Sequence, residues 1–229
     1  MRTSDPADAA RLHGMTFRPG GLRLTERACD LAGVGAGARL LDVGCGAGGT
    51  LRFLRSRGVD ACGAEPDERM RSLCLADGLP VEDGRAESLP FGNEAFDAVL
   101  FECALSLAAD RKRAAAEAAR VLVPGGRVIV ADLCRPERDA GARDDFADCG
   151  GSAGGCAAGA LTPGGWVALL EGAGFTVIVL EDHTDDLKSF VAKCIFCDLS
   201  LPFACPRAGR RSRRGYLLLV GRKGVSDGE

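Results

Sequence analysis

The chain has 229 residues, of which 46% are apolar and 27% charged, with a formal net charge of −3 at pH 7. That length holds one α/β core and falls short of two full domains, and the acidic balance argues against a generic binder of nucleic acid or anionic membranes. No apolar run reaches the roughly 20 residues needed to cross a bilayer, and the start "MRTSDPADAARLHG" has no signal-peptide core, so a cytoplasmic protein without membrane partners is expected.

The first regular element is a helix at 22–34, "LRLTERACDLAGV", with apolar residues at helical spacing and Gly33, Gly35 and Gly37 to stop it. "ARLLDVG" is a short buried strand, and "GTLRFLRSRG" a helix with Leu51 and Leu54 on one face. "VDACGAE" is a second strand. "PDERMRSLCLADG" is a helix that opens on Pro66, where a missing N–H costs nothing. A weak third strand lies at Val81, and "AFDAVLFECAL" is a fourth, apolar enough to be buried on both faces. "DRKRAAAEAARVLVPGG" is an alanine-rich helix closed by a proline-glycine turn, followed by the strand "RVIVADL".

The segment 134–161 is rich in Gly, Ala and Asp without a clear period and is read as a variable loop or insert. Thr162 caps the helix "TPGGWVALLEGAG". The strand "FTVIVLED", the helix "DDLKSFVAKCIFCDLS" and the strand "RGYLLLVGRK" complete the chain. Residues 1–229 read as a single domain in which 1–37 forms an N-terminal cap. Seven strands alternating with helices imply a doubly wound, mostly parallel sheet whose ligands sit beyond the carboxyl ends of its strands.

The glycine turn after the first strand, "DVGCGAGG", lies at that edge. Gly44, Gly46 and Gly48 give one spacing, whereas Gly44, Gly46 and Gly49 overlap the dinucleotide fingerprint, so a nicotinamide-dependent oxidoreductase is a rival reading. Asp42 separates the two. At about 4 Å, a carboxylate and a phosphate repel by several kcal/mol even at an effective dielectric constant near 20. S-adenosylmethionine (SAM) has no phosphate and carries an ammonium and a sulfonium, so an acid at the strand tip favours it. Glu65, about twenty residues past the first glycine, suits ribose hydroxyls in either cofactor class.

"LLDVGCGAGG", "GAEPDERM", "GRAESLPFGNEAFDAVL" and "AARVLVPGGRVIVADL", in that order and spacing, resemble the class I SAM-dependent methyltransferases, in particular their small methyltransferase-domain group. The resemblance implies a Rossmann-like sheet whose last strand runs antiparallel. It implies a cofactor site made of Asp42, Gly44, Cys45, Gly46 and Gly48 around the methionine part, Glu65 and Pro66 at the ribose, and Ala86 with Glu87 bordering the adenine. Arg85 stands where the family often has an acid, which puts the adenine contact on Ala86 and Glu87. Glu102 and Cys103 would face the methyl group and the acceptor. In "RPGGLRLTERA", Thr25 and Arg27 either reach the SAM carboxylate or serve the helix.

Methyl transfer needs positioning first, and a base where the acceptor is an oxygen or carbon acid. Candidate bases are Glu102, Asp132 and His183, the last alternatively a surface loop histidine. No "NPPY"-type tetrapeptide follows the fourth strand, which argues against amide or adenine nitrogen as acceptor and leaves a small molecule. Eleven cysteines cannot all pair within one chain. Cys29, Cys62 and Cys74 read as core. No complete metal site is read, but Cys149, Cys156, Cys194, Cys197 and Cys205 keep open an arsenite-type or other cysteine-assisted methyltransferase, or a metal-binding protein of this fold. The basic run "CPRAGRRSRRGY" reads as a solvated connection.

Overall fold

The computed structural model describes residues 16–137, 159–196 and 214–225. Its strands are β1 (Arg39–Val43), β2 (Asp60–Ala64), β3 (Val81–Glu82), β4 (Phe96–Glu102), β5 (Leu122–Cys134), β6 (Phe175–Asp182) and β7 (Gly215–Lys223). They form one sheet in the order β3-β2-β1-β4-β5-β7-β6. β7 runs antiparallel to both β5 and β6, and the other pairings are parallel. The order reverses between β1 and β4, which opens the crevice in which such sheets bind ligands.

Helices α1 (Gly21–Ala32), α2 (Gly49–Ser56), α3 (Glu68–Ala76), α4 (Arg111–Val121), α5 (Pro163–Glu171) and α6 (Thr184–Phe196) cover the sheet. Strand periodicity divides the core in two. Leu40, Leu218 and Val220 pack on one face with Leu24, Leu51, Leu54 and Leu187, whereas Leu41, Leu217 and Leu219 pack on the other with Ala115, Ala118, Trp166 and Leu170. β1 and β4 are buried on both faces, as their apolar runs require.

Two elements differ from expectation. Pro66 does not open α3. Asp67 caps it instead, its Oδ1 accepting the Met70 N–H at 3.0 Å, because a carboxylate at the cap satisfies a donor that proline cannot. The proline-glycine pair does not end α4 as a free turn either. β5 already begins at Leu122, and its pairing jumps from Phe96–Leu122 to Ala98–Arg127, so Val123 to Gly126 bulge out of the ladder. Cys29 and Cys74 are core residues as read, while Cys62 is half-buried.

Thr162 caps α5 as the sequence predicts, its Oγ1 accepting the Gly165 N–H at 3.1 Å, and Trp166 in the same turn is fully buried with Nε1 donating to the Leu133 carbonyl at 3.1 Å. Thr162→Ala should therefore lower stability by about 1 kcal/mol. Urea unfolding followed by the fluorescence of Trp166, the chain's single tryptophan, measures it.

Candidate functional site at the carboxyl edge of the sheet

Strand register decides which side chains meet. Val43 pairs with Ala64 on one side and Phe101 on the other, so the next residues, Gly44, Glu65 and Glu102, emerge side by side at the carboxyl edge. Gly44, Gly46 and Gly48 all take left-handed φ values of 76°, 54° and 76°. A Cβ at Gly48 would overlap Leu79 Cδ1, whereas one at Gly46 would meet nothing within 4 Å. Gly46 is therefore the place where another group can approach the backbone closely. Cys45, between them, turns its side chain into the interior against Gly63 and offers the edge only its backbone.

Glu65 fixes this turn. Its Oε2 accepts the Gly46 N–H at 2.9 Å and its Oε1 the Asp67 N–H at 2.9 Å, which leaves lone pairs on both oxygens for hydroxyl donors. Pro66 is exposed beside it. Asp42 is placed differently from its expected role. It is 2% exposed, and burial, reinforced by the negative charge of Glu102 and opposed by Arg18, pushes its pKa well above the usual carboxylate range. It lies behind the turn and is not an open carboxylate at the tip.

Glu102 is the hub of a buried network. Its Oε2 lies 2.7 Å from Arg18 Nη2 and accepts the Thr50 hydroxyl at 2.8 Å, and its Oε1 accepts the Thr25 hydroxyl at 2.9 Å. Arg18 also donates to Thr25 Oγ1 and to the Gly21 carbonyl. With both oxygens engaged by a cation and two hydroxyls, Glu102 is a scaffold and not a free base. Thr25, fully buried in the same network, does not extend to a ligand. Arg27 points elsewhere, to Glu181 at 2.7 and 2.5 Å.

His183 is likewise committed. Nδ1 lies 2.9 Å from Asp186 Oδ2 and Nε2 3.1 Å from Glu181 Oε2, so both nitrogens are engaged within the protein. The Arg27 guanidinium, then His183, hold the Glu181 carboxyl at about 2. The cluster clasps α1 to the β6–α6 junction. Cys103 sits just past β4 with φ 54°, an uncommon backbone region for a non-glycine residue and one that often marks functional sites. Its thiol lies 3.2 Å from the Tyr216 hydroxyl, which donates to the Ala131 carbonyl at 3.1 Å. Tyr216 is fully buried, and that burial pushes its pKa well above the ordinary tyrosine value.

The loop expected at the adenine forms a tight turn, with Ser88 N–H donating to the Arg85 carbonyl at 3.0 Å. Ala86 packs against the core face that holds Leu41. Glu87 is taken up by the protein itself: it accepts the Ala109 N–H at 2.7 Å, a donor that the segment between β4 and α4 leaves unpaired. Glu117 and Arg120 hold the rest of the loop through the Leu89 N–H and the carbonyls of Leu89 and Phe91.

Four participants, Arg18, Thr50, Tyr216 and Ser106, escape sequence reading. Arg18 lies in the quoted "RPGG" and Thr50 in the first turn of α2, but nothing local shows that they converge on Glu102. Ser106 binds Asp132, whose oxygens accept the Ser106 N–H at 3.0 Å and hydroxyl at 2.7 Å. Cys194 is buried on α6, and Cys149, Cys156, Cys197, Cys205 and the basic run up to Arg213 lie outside the described residues. Among the described residues, no three potential metal ligands cluster, and no helix is long and apolar enough to cross a membrane.

Residues 41–130 match the methyltransferase domain family. Methyltransferase GfsG of Streptomyces halstedii is 34% identical over 122 residues, covering 49% of this chain and 44% of that protein. The chain spans about half the length of the curated relatives it matches first. A solved structure of the cyclase SpnF superposes with TM-score 0.70 at 24% identity, covering 89% of this chain and 82% of that one. A phosphoethanolamine N-methyltransferase from Haemonchus contortus, solved with S-adenosylhomocysteine, has TM-score 0.67 at 15% identity, covering 90% and 54%. Sheet order and glycine turn agree with these likenesses: the chain has the fold of the solved methyltransferase structures, and residues 41–130 match the methyltransferase domain model.

Burial pushes the pKa of Asp132 up from its ordinary value of 3.8 to about 6. The folded state then binds the extra proton between those values, so this group's contribution to stability falls as pH rises from about 4 to about 6, by up to about 1.4 kcal/mol per pH unit. Asp132→Asn should flatten that slope. Urea midpoints of the two proteins across pH 4 to 7 measure the difference.

Proposed function

We propose that this protein is a SAM-dependent methyltransferase that acts on a small-molecule acceptor. The observation that carries the reading is the convergence of Asp42, Glu65 and Glu102 on the open glycine turn, with Arg18 as the cation among them. With Glu102 balanced by Arg18 and Asp42 inclined to hold its proton, the Glu65 carboxylate leaves the turn with net negative charge before any ligand arrives. A diphosphate would add charge of the same sign in a half-buried site, whereas a ligand bearing an ammonium and a sulfonium is attracted.

The residues fit that cofactor. Gly46 leaves its backbone open on the side where a Cβ would stand, Glu65 keeps acceptor capacity for a pair of ribose hydroxyls, and Arg18 is a fixed guanidinium for a carboxylate. Glu102 holds Arg18 in place, and Thr25 and Thr50 hold Glu102. When bound, SAM supplies an activated methyl group on a cationic sulfur. The chain's part is then orientation and the exclusion of water, and the engaged states of Glu102 and His183 favour a reaction that draws no base from them.

A cavity of about 490 Å³ lies on the same edge, bounded by Arg135, Glu181, Asp182, Arg214 and Tyr216. Its volume suits a small molecule. We assign the acceptor to this side of the Cys103–Tyr216 contact. Since the cyclase SpnF shares the fold, fold alone does not fix the reaction, and transfer of labelled methyl from SAM to an extracted small-molecule pool is the direct assay.

Calorimetric titration tests the cofactor. S-adenosylhomocysteine should bind and NADH should give no heat, and the reverse result overturns the reading. Arg18→Met combined with Glu102→Gln removes the ion pair without stranding a buried charge, so the fold should survive while affinity for S-adenosylhomocysteine drops at least about tenfold. Retained affinity in that variant would remove Arg18 from the site.

A further inference from the structure

The glycine turn carries a second feature that the proposed reaction does not use. Cys45 lies in the turn itself and Cys74 in the last turn of α3, and their sulfurs meet beneath Gly46. Cys74 Sγ is 3.2 Å from the Gly46 carbonyl oxygen and Cys45 Sγ 3.9 Å from the same atom. With both sulfurs within 4 Å of one carbonyl oxygen, the two thiols are neighbours. Glycines make the room: a Cβ at Gly63 would overlap Cys45 Sγ, and one at Gly48 would stand 3.0 Å from Cys74 Sγ.

The pair is asymmetric. Contact with Cys45 lowers the Cys74 pKa against the effect of burial, helped by the nearby Arg52 guanidinium, while the same contact and burial push Cys45 up. Cys74 is thus the sulfur that ionises first, with the Cys45 thiol beside it on the same Gly46 carbonyl. Thiolate is the reactive form of cysteine, and a neighbouring thiol is what turns its oxidation into a disulfide.

We propose that Cys45 and Cys74 are a redox modification site that a small peroxide converts to a reversible disulfide, altering the cofactor-binding turn. The Cys74 thiolate attacks one peroxide oxygen, the O–O bond breaks, and hydroxide leaves to become water. The Cys45 thiol, losing its proton, then attacks the resulting sulfenic sulfur. The S–O bond breaks and a second water forms. Both sulfurs are oxidised and both peroxide oxygens reduced, so two thiols and one hydrogen peroxide give one disulfide and two waters. A small oxidant is required because Cys45 is 8% exposed and Cys74 fully buried.

The consequence follows from the same contacts. In the reduced protein the Cys74 thiol donates to the Gly46 carbonyl, while Glu65 holds the Gly46 amide. A disulfide has no S–H, so the carbonyl loses that donor and the turn is pulled toward α3. The effect on ligand affinity rests on the cofactor reading above, whereas formation of the disulfide does not.

The full chain, first reduced, is treated with hydrogen peroxide, its remaining thiols alkylated, and its peptides analysed by mass spectrometry. A Cys45–Cys74 linked peptide lighter by two hydrogens and restored by dithiothreitol is expected, with affinity for S-adenosylhomocysteine lower by about tenfold in the oxidised form. In Cys74→Ser the linked peptide should vanish and the affinity should no longer respond to peroxide. Full alkylation of both residues after peroxide, or pairing of either with another cysteine, overturns the proposal. A reduced protein that never binds S-adenosylhomocysteine overturns the cofactor reading instead, and the linked peptide still decides the disulfide.

Discussion

A buried ion pair between Arg18 and Glu102 ties together the parts from which the site is built. Glu102 ends β4, Arg18 precedes α1, and the two hydroxyls that complete the network belong to α1 and to the first turn of α2. Taking two charges out of water costs several kcal/mol per ion, and only close geometry with further hydrogen bonds recovers it. Here both carboxylate oxygens and much of the guanidinium are satisfied, so the pair fixes one arrangement. It holds the N-terminal segment against the carboxyl edge of the sheet, where Thr16 also packs on Gly49.

The same pair sets the electrostatics of its neighbours. Asp42 is buried and lies within the field of Glu102, so it takes up a proton more readily. Three carboxyl groups at one edge then divide into roles. Glu102 is neutralised by Arg18, Glu65 is held by two backbone amides, and Asp42 absorbs the remaining repulsion. On the proposed reading, such a site suits a ligand that carries both a carboxylate and positive charge, with Arg18 for the first and the Glu65 carboxylate for the second.

Much of this was legible in the sequence, and the boundary follows a physical line. Strands, helices and the glycine turn are local or periodic features, and β6 matches its sequence prediction residue for residue. Register and topology then follow from parallel pairing, which brings Gly44, Glu65 and Glu102 to one place. What remained hidden is side-chain direction. Glu87, Glu102, Thr25 and His183 stand where the patterns put them, yet each turns to a partner more than twenty residues away or to a clasp closed by tertiary contact. No window of sequence shows that the Ala109 amide lacks an acceptor or that Arg27 and His183 meet at Glu181.

The two attachments of α1 differ in kind, and that difference bears on how the edge can open. At the sheet, Thr25 and Arg18 sit in the buried network. At its outer side, α1 is joined to the β6–α6 junction by Arg23 with Asp186 and Arg27 with Glu181. Exposed ion pairs of the second sort contribute little individually and weaken with salt, whereas removing one partner of a buried pair leaves a charge stranded. Movement of α1 to admit a ligand is therefore cheap at the clasp and costly at the network. A hinge at Arg18 and Glu102 with release at Glu181 and Asp186 would open the side that holds the cavity while the turn beside Gly46 stays in place. The helix would then uncover the end of the edge that holds the cavity more readily than the glycine turn, because the buried network holds the latter.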